Sequence, residues 1–220
     1  MAMLRPASEM KDSGIEWMRN IPYNWGKAKL KYLGTYINGY PFKPSDWSAK
    51  GRPIIRIQDL TGSNTGEPNY YEGELDNKYL VSKGDILVSW AATLDAYVWK
   101  KHDGWLNQHI FKAIPNSEVN HQYFLWLLKV AMENMNNDNK HGIVMQHVTI
   151  GLFNNYLVPL PPFPEQLAIA SYLDDRCGKI DEIIKEAEES IEEYKALKQA
   201  VIFEAVTKGL ICNDLCQEAT

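Results

Sequence analysis

Between Pro159 and Gln166 the chain reads Pro-Leu-Pro-Pro-Phe-Pro-Glu-Gln, and an apolar repeat follows directly, running to about Lys208. Prolines this dense cannot lie inside a helix, because each fixes φ and lacks an N–H. Pro164 suits a helix's first turn, where a missing donor costs nothing, and Glu165 suits the positive end of the helix dipole. From Leu173 the apolar positions are Leu173, Cys177, Ile180, Ile184, Ala187, Ile191 and Tyr194, in alternating steps of four and three. That spacing is an a/d heptad seam; Lys198 interrupts it, and Val201 and Ala205 resume it. A helix from Glu165 to Lys208 spans roughly 65 Å at 1.5 Å per residue. With a single apolar seam it needs a partner helix, unless a shorter helix folds back on its own domain. Gly209 ends it as a C-cap. The expected organisation is a mixed domain over residues 1–160 and a helical segment over 161–220.

The formal net charge of −5 superficially disfavours a nucleic-acid partner. Its distribution changes that reading. Residues 1–162 carry 17 Lys+Arg against 15 Asp+Glu, with all five histidines, whereas residues 163–220 carry 6 against 13. The acidity belongs to the helix, and the mixed domain is free to present a basic face. Composition is that of a globular chain, 45% hydrophobic and 23% charged. No apolar run approaches the roughly 20 residues that span a bilayer, and residues 1–13 do not resemble a signal peptide. The expectation is a cytoplasmic protein with no membrane contact. Cys177, Cys212 and Cys216 are an odd, badly spaced set for a disulfide framework and suit a reducing cytosol. Cys212 and Cys216 lack further ligands at finger-like spacing, so no metal is expected.

Along the mixed domain, the aromatic-rich stretch Lys11–Trp25 reads as an extended arm that packs without regular structure. Lys27–Tyr36 is ambiguous between a short helix and a strand. Ile54–Leu60, Ile86–Trp90, Ala96–Trp99 and Ile110–Ile114 read as strands, with turns at Gly84-Asp85 and His102-Asp103-Gly104. Phe124, Leu127, Leu128, Ala131, Met132 and Met135 follow a 3.6 period, so His121–Met135 reads as an amphipathic helix capped by Asn120. Asn134–Gly142 reads as a polar loop, and Val148–Ile150 and Tyr156–Leu160 as strands. The expected fold class is α+β, with mixed strands and short helices followed by one long coiled-coil helix.

No catalytic signature is present: there is no phosphate loop, no His-Glu-x-x-His, no Gly-x-Ser-x-Gly and no dinucleotide pattern. Leu160-Pro161-Pro162-Phe163 superficially matches an amino-methyltransferase motif, but that motif needs a polar first residue to bind the target amine. Asp174 and Asp175 are helix neighbours and point to different faces. No cofactor and no enzymatic activity are expected.

Binding residues are better represented. Lys43, Arg52, Arg56, Gln58, Lys100, Lys101, Asn107, Gln108, Lys140, His141, Gln146 and His147 lie in or beside loops. Lys50 and His109 share that setting. These residue types hold phosphates and read base edges, although each alone is more often solvated surface. Trp90 is open between core and an exposed wedge, with core favoured because it follows an apolar run.

Several segments in order resemble type I restriction–modification specificity (S) subunits. Lys11-Asp12-Ser13-Gly14-Ile15-Glu16-Trp17 with Ile21-Pro22 and Trp25 resembles the start of their target-recognition domains. Lys83–Ser89 and Asn107–Ile110 resemble core segments. Leu160–Gln166 with Ile169-Ala170, Leu173-Asp174 and Ile180-Asp181 resembles the start of the long helix, and Ala205–Leu210 its end. The departure is length: family members usually hold two recognition domains and two helices, and this chain has one of each. The resemblance implies a non-enzymatic, half-length specificity subunit that reads half of a bipartite double-stranded DNA site. It would act as an antiparallel homodimer through the Leu173–Val201 seam and direct methyltransferase (M) and restriction (R) subunits. The alternative is a coiled-coil interaction adaptor that does not read DNA.

Overall fold

The computed structural model describes residues 5–63, 66–139 and 148–209. The chain divides into two compact units that meet between Tyr172 and Leu173.

Unit 1 begins with a hairpin of β1 (Met10–Asp12) and β2 (Asn20–Pro22), so the N-terminal arm is more regular than its aromatic, proline-broken sequence suggests. The turn between them is set locally. Asp12 Oδ1 accepts from the Gly14 amide at 2.8 Å, and Gly14 takes φ +67°. Trp17 anchors the turn by stacking on Tyr156 and donating Nε1–H to the Leu157 carbonyl at 3.1 Å. Next come β3 (Gly26–Lys29), β4 (Gly34–Asn38) and β5 (Arg52–Ile55), then the short α1 (Ile57–Thr61). Thus Ile54–Leu60 is not one strand. The Asp59 carboxylate accepts from the Arg56 amide at 2.8 Å and turns the chain into a helix, overriding the β-branched composition.

The remaining strands are β6 (Tyr70–Tyr71), β7 (Leu80–Val81), β8 (Ile86–Ser89), β9 (Asp95–Val98), β10 (Gly104–Leu106) and β11 (Ile110–Pro115). They build an antiparallel sheet ordered β4-β11-β8-β9 and a second sheet ordered β6-β5-β10-β7. All four residues of β8 are buried. Ile86 and Val88 face the main core, and Leu87 joins Ile55, Val81, Leu106 and Ile110 in a second cluster. A strand covered on both faces loses the polar alternation, which is why this stretch is a continuous apolar run.

The main core also takes Phe124, Leu128 and Met132 from α2 (His121–Asn139). Asn120 caps that helix, its Oδ1 accepting from the Tyr123 amide at 2.9 Å. The helix continues past Met135, where a polar loop was expected. Met135 is buried on the core, and the Asn134 amide is satisfied by the Val130 carbonyl at 2.8 Å. Residues 148–150 are not a strand either. Thr149 Oγ1 accepts from the Leu152 amide at 3.2 Å and caps α3 (Ile150–Asn155). Finally β12 (Leu157–Leu160) pairs with β3, which brings the proline run back to the arm.

The long helix α4 (Phe163–Lys208) starts on the Pro162 carbonyl, which accepts from the Glu165 and Gln166 amides. Its first turns belong to unit 1. Gln166 and Ala170 are buried there. Gln166 Oε1 accepts from the Asn120 amide at 2.8 Å, while its Nε2 donates to the Pro161 and Glu118 carbonyls at 3.0 and 3.2 Å. Its neighbour Glu165 accepts from Arg5 at 2.7 Å, Asn24 at 2.6 Å and Trp25 at 2.8 Å. Burial alone would raise this carboxyl's pKa, but Trp25, Asn24 and Arg5 outweigh it and hold the group below the usual carboxylate range.

Unit 2, from Leu173 on, is the continuation of α4. Leu173 and Cys177 are half-buried, and Ile180, Ile184, Ala187, Ile191, Tyr194 and Val201 are exposed. Gly209 closes the helix at φ +71°, its amide donating to the Ala205 carbonyl at 3.2 Å. Among the described residues no helix is long and apolar enough to cross a membrane.

Candidate nucleic-acid interface

The second sheet contains a parallel pair, and that pair creates the site. β5 and β10 run side by side with Ile54 opposite Trp105 and Ile55 opposite Leu106. Parallel strands end on the same side, so Arg56 and Asn107 leave the sheet together. The Asn107 amide donates to the Ile55 carbonyl at 3.2 Å, closing the edge. Tyr40 bridges Asn107 from the other side, and this close approach requires glycine at Gly39. A Cβ there would sit 2.0 Å from the Asn107 carbonyl oxygen.

Around this edge the polar side chains are held by a few contacts. Arg56 Nε lies 3.9 Å from Asp59 Oδ2, and Lys101 donates to the Asp59 carbonyl at 3.1 Å. Asp59 therefore gathers the two cations beside α1. Gln58 and Lys101, with His102, line a cleft of about 190 Å³ under α1. Gln108 meets His109 at 3.4 Å, and His109 lies against Trp90 with ring centroids 5.6 Å apart. Trp90 is half-buried and packs on the main core, so it is neither fully interior nor a free wedge.

The structure thus sets Arg56 beside Asn107 and its neighbour Gln108 at the ends of β5 and β10, and Gln58 with Lys101 in the cleft under α1, the two sets linked through Asp59. Arg52 is engaged elsewhere, its guanidinium 4.7 Å from the centroid of the Trp105 ring. Lys43 is exposed on a separate turn before Pro44–Asp46, and Lys100 is exposed beside Trp99. Lys140, His141, Gln146 and His147 lie outside the described residues. Sequence reasoning passed over Asp59, the organiser of the two cations, and Gly39. An Asn-Gly pair at Asn38-Gly39 was the one available signal for the latter.

Polar and cationic groups at strand ends and in an adjoining cleft can donate to phosphates and exchange hydrogen bonds with base edges. A family model described as the type I restriction modification DNA specificity domain matches residues 22–193. The chain belongs to this family.

Relatives agree with that assignment. The chain is 27% identical to the type I restriction enzyme EcoBI specificity subunit of Escherichia coli, over 97% of this chain and 45% of that protein. It is 24% identical to the MjaVIII specificity subunit of Methanocaldococcus jannaschii, over 86% and 44%. A chain from a structure of the type I R-M system aligns at a TM-score of 0.68 and 20% identity, covering 93% of this chain and 50% of that one. The HsdS subunit from Thermoanaerobacter tengcongensis gives a TM-score of 0.61 at 20% identity, covering 93% and 49%. The two structures share the specificity-domain fold. The chain spans about half the length of these relatives.

Proposed function

We propose that the chain is a DNA-reading element of a type I restriction–modification system. Unit 1 reads half of a bipartite double-stranded site. Two copies pair antiparallel through the Leu173–Val201 seam and so present two readers. The assembly directs M and, where one exists, R subunits to the site. Those partners supply methyl transfer and cleavage, in keeping with the lack of catalytic motifs here, and the pairing takes place in a reducing cytoplasm. The placement of Arg56 beside Asn107 where β5 and β10 end, with Gln58 and Lys101 in the adjoining cleft under α1, in a chain of this family, carries the reading.

The acidic helix makes the chain net negative, at −5, so affinity for DNA draws on cations of the M subunit. Binding by this chain alone is then weak and steeply salt-dependent. Co-expression with an M subunit followed by genome-wide methylation mapping tests the proposal. The expected product is methylation at an interrupted palindrome that disappears without this chain. A methylation pattern indifferent to the chain would leave an adaptor role and reject the DNA-reading one.

A further inference from the structure

The seam of unit 2 is compatible with many helical partners, but its flanks select one. We infer that a second copy of this chain packs antiparallel in a single register, with Ala187 set against Ile191 of the second copy. The inference deepens the homodimer reading above and rests on it.

In antiparallel pairs, a positions face d positions of the other helix. In this register Leu173 meets Ala205 of the second copy, Cys177 meets Val201, Ile184 meets Tyr194, and Ala187 meets Ile191. Each layer occurs twice by symmetry, and most set a large side chain against a smaller one. Lys198 falls against Ile180, where its stem covers the apolar surface and its ammonium reaches solvent.

The flanks decide the register. Ile183 and Leu197 are large, apolar and 64% and 58% exposed, yet both lie off the a/d seam on the same side. The register places Ile183 beside Leu197 of the second copy, at both ends of the pair. On the same flank Arg176 falls beside Glu204, and on the opposite flank Asp181 falls beside Lys195. Two flank contacts are unfavourable, Asp174 beside Ile202 of the second copy and Glu188 beside its own counterpart, and both lie at an exposed flank where such contacts weigh little.

Sliding one copy by a heptad destroys this match. In one direction Arg176 meets Leu197, Ile183 meets Ser190 and Asp181 meets Glu188. In the other, Ile183 meets Glu204 and Ala187 meets Lys198. A parallel pair is worse in a different way, since it stacks Lys198 on Lys198 in the core. Of these arrangements, only the first sets Ile183 beside Leu197 together with Arg176 beside Glu204 and Asp181 beside Lys195.

The two-fold axis of this register passes beside Ser190, which therefore faces its own counterpart. The test uses the full chain with Cys177, Cys212 and Cys216 changed to Ser. Ser190→Cys is compared with Ala196→Cys, which lies on the opposite helix face. Sedimentation at micromolar concentration is expected to show a dimer, and mild oxidation to join Ser190→Cys about tenfold faster than Ala196→Cys or more. With the native cysteines retained, Arg176→Glu is expected to weaken dimerisation about tenfold, and Arg176→Glu with Glu204→Arg to restore it. A dimer in which Ser190→Cys crosslinks no faster than the control, and in which the charge swap gives no rescue, overturns the register but leaves the homodimer standing. A monomer overturns both and assigns the seam to a different protein.

Discussion

The Trp25 indole donates to the Glu165 carboxylate at 2.8 Å, tying the N-terminal arm to the first turn of α4. Arg5 and Asn24 complete the same carboxylate, so a residue suited to any helix start by its charge is also a tertiary anchor.

Glu165→Gln is expected to lower stability by about 1 kcal/mol, because the side chain is partly exposed and solvent screens the pair. The pH dependence has a definite sign. The folded carboxyl lies below its ordinary value, so its contribution is complete above the ordinary carboxylate range. It is lost as pH falls through the lowered value. Urea unfolding from neutral to acid pH should show the wild type losing its advantage over the variant on acidification; a pH-independent difference would count against the charge.

Gln166→Ala should cost more than Glu165→Gln, although it removes no charge. Gln166 is buried and serves the Asn120 amide together with the Pro161 and Glu118 carbonyls. Leaving those groups dry and without this partner predicts a loss of about 3 kcal/mol. Gln166→Leu should not recover it, since volume is not what the site lacks. Chemical denaturation of both variants measures this.

Gly39→Ala should act at a distance on the reading edge. The added methyl meets the Asn107 backbone at 2.0 Å, and backbone cannot swing aside. Destabilisation of about 1–3 kcal/mol is expected. In the assembled complex, DNA discrimination should fall further than the folded fraction explains. Competition binding alongside a thermal melt separates the two effects.

Lys101→Ala and Asn107→Ala should differ in kind. Lys101, as a phosphate cation, should weaken all DNA sequences equally and reduce the log–log salt slope by about 0.9. Asn107, as a base reader, should cost about 1–3 kcal/mol on the preferred site and little on others. Titrations of the complex across a salt series on matched and mismatched sites decide between these assignments.

Much of this architecture is written in local pattern. The heptad steps from Leu173, the 3.6 period through Met132 and the unbroken apolar run at Ile86–Ser89 each mark an element, because burial of one stripe or of both faces leaves a periodic trace. The proline run, followed by Glu165 and Gln166, marks the helix start for the same local reasons. At two of the places where the pattern misled, a single side chain had redirected the backbone, Asp59 at α1 and Thr149 at α3, whereas α2 outran its expected end because Met135 is buried on the core.

The proposed reading edge was legible only as residue types. Arg56 and Asn107 are far apart in the chain, and only the parallel pairing of β5 with β10 sets them side by side. Non-local pairing leaves no periodic trace, so the tertiary structure alone determined which of the candidate cations and amides share a surface. It also decided that Gln166 is a buried tie and that Ile183 and Leu197 stand in solvent. Sequence by itself determined the helix, its seam and the charge division, since each follows from neighbours within a few turns of one another.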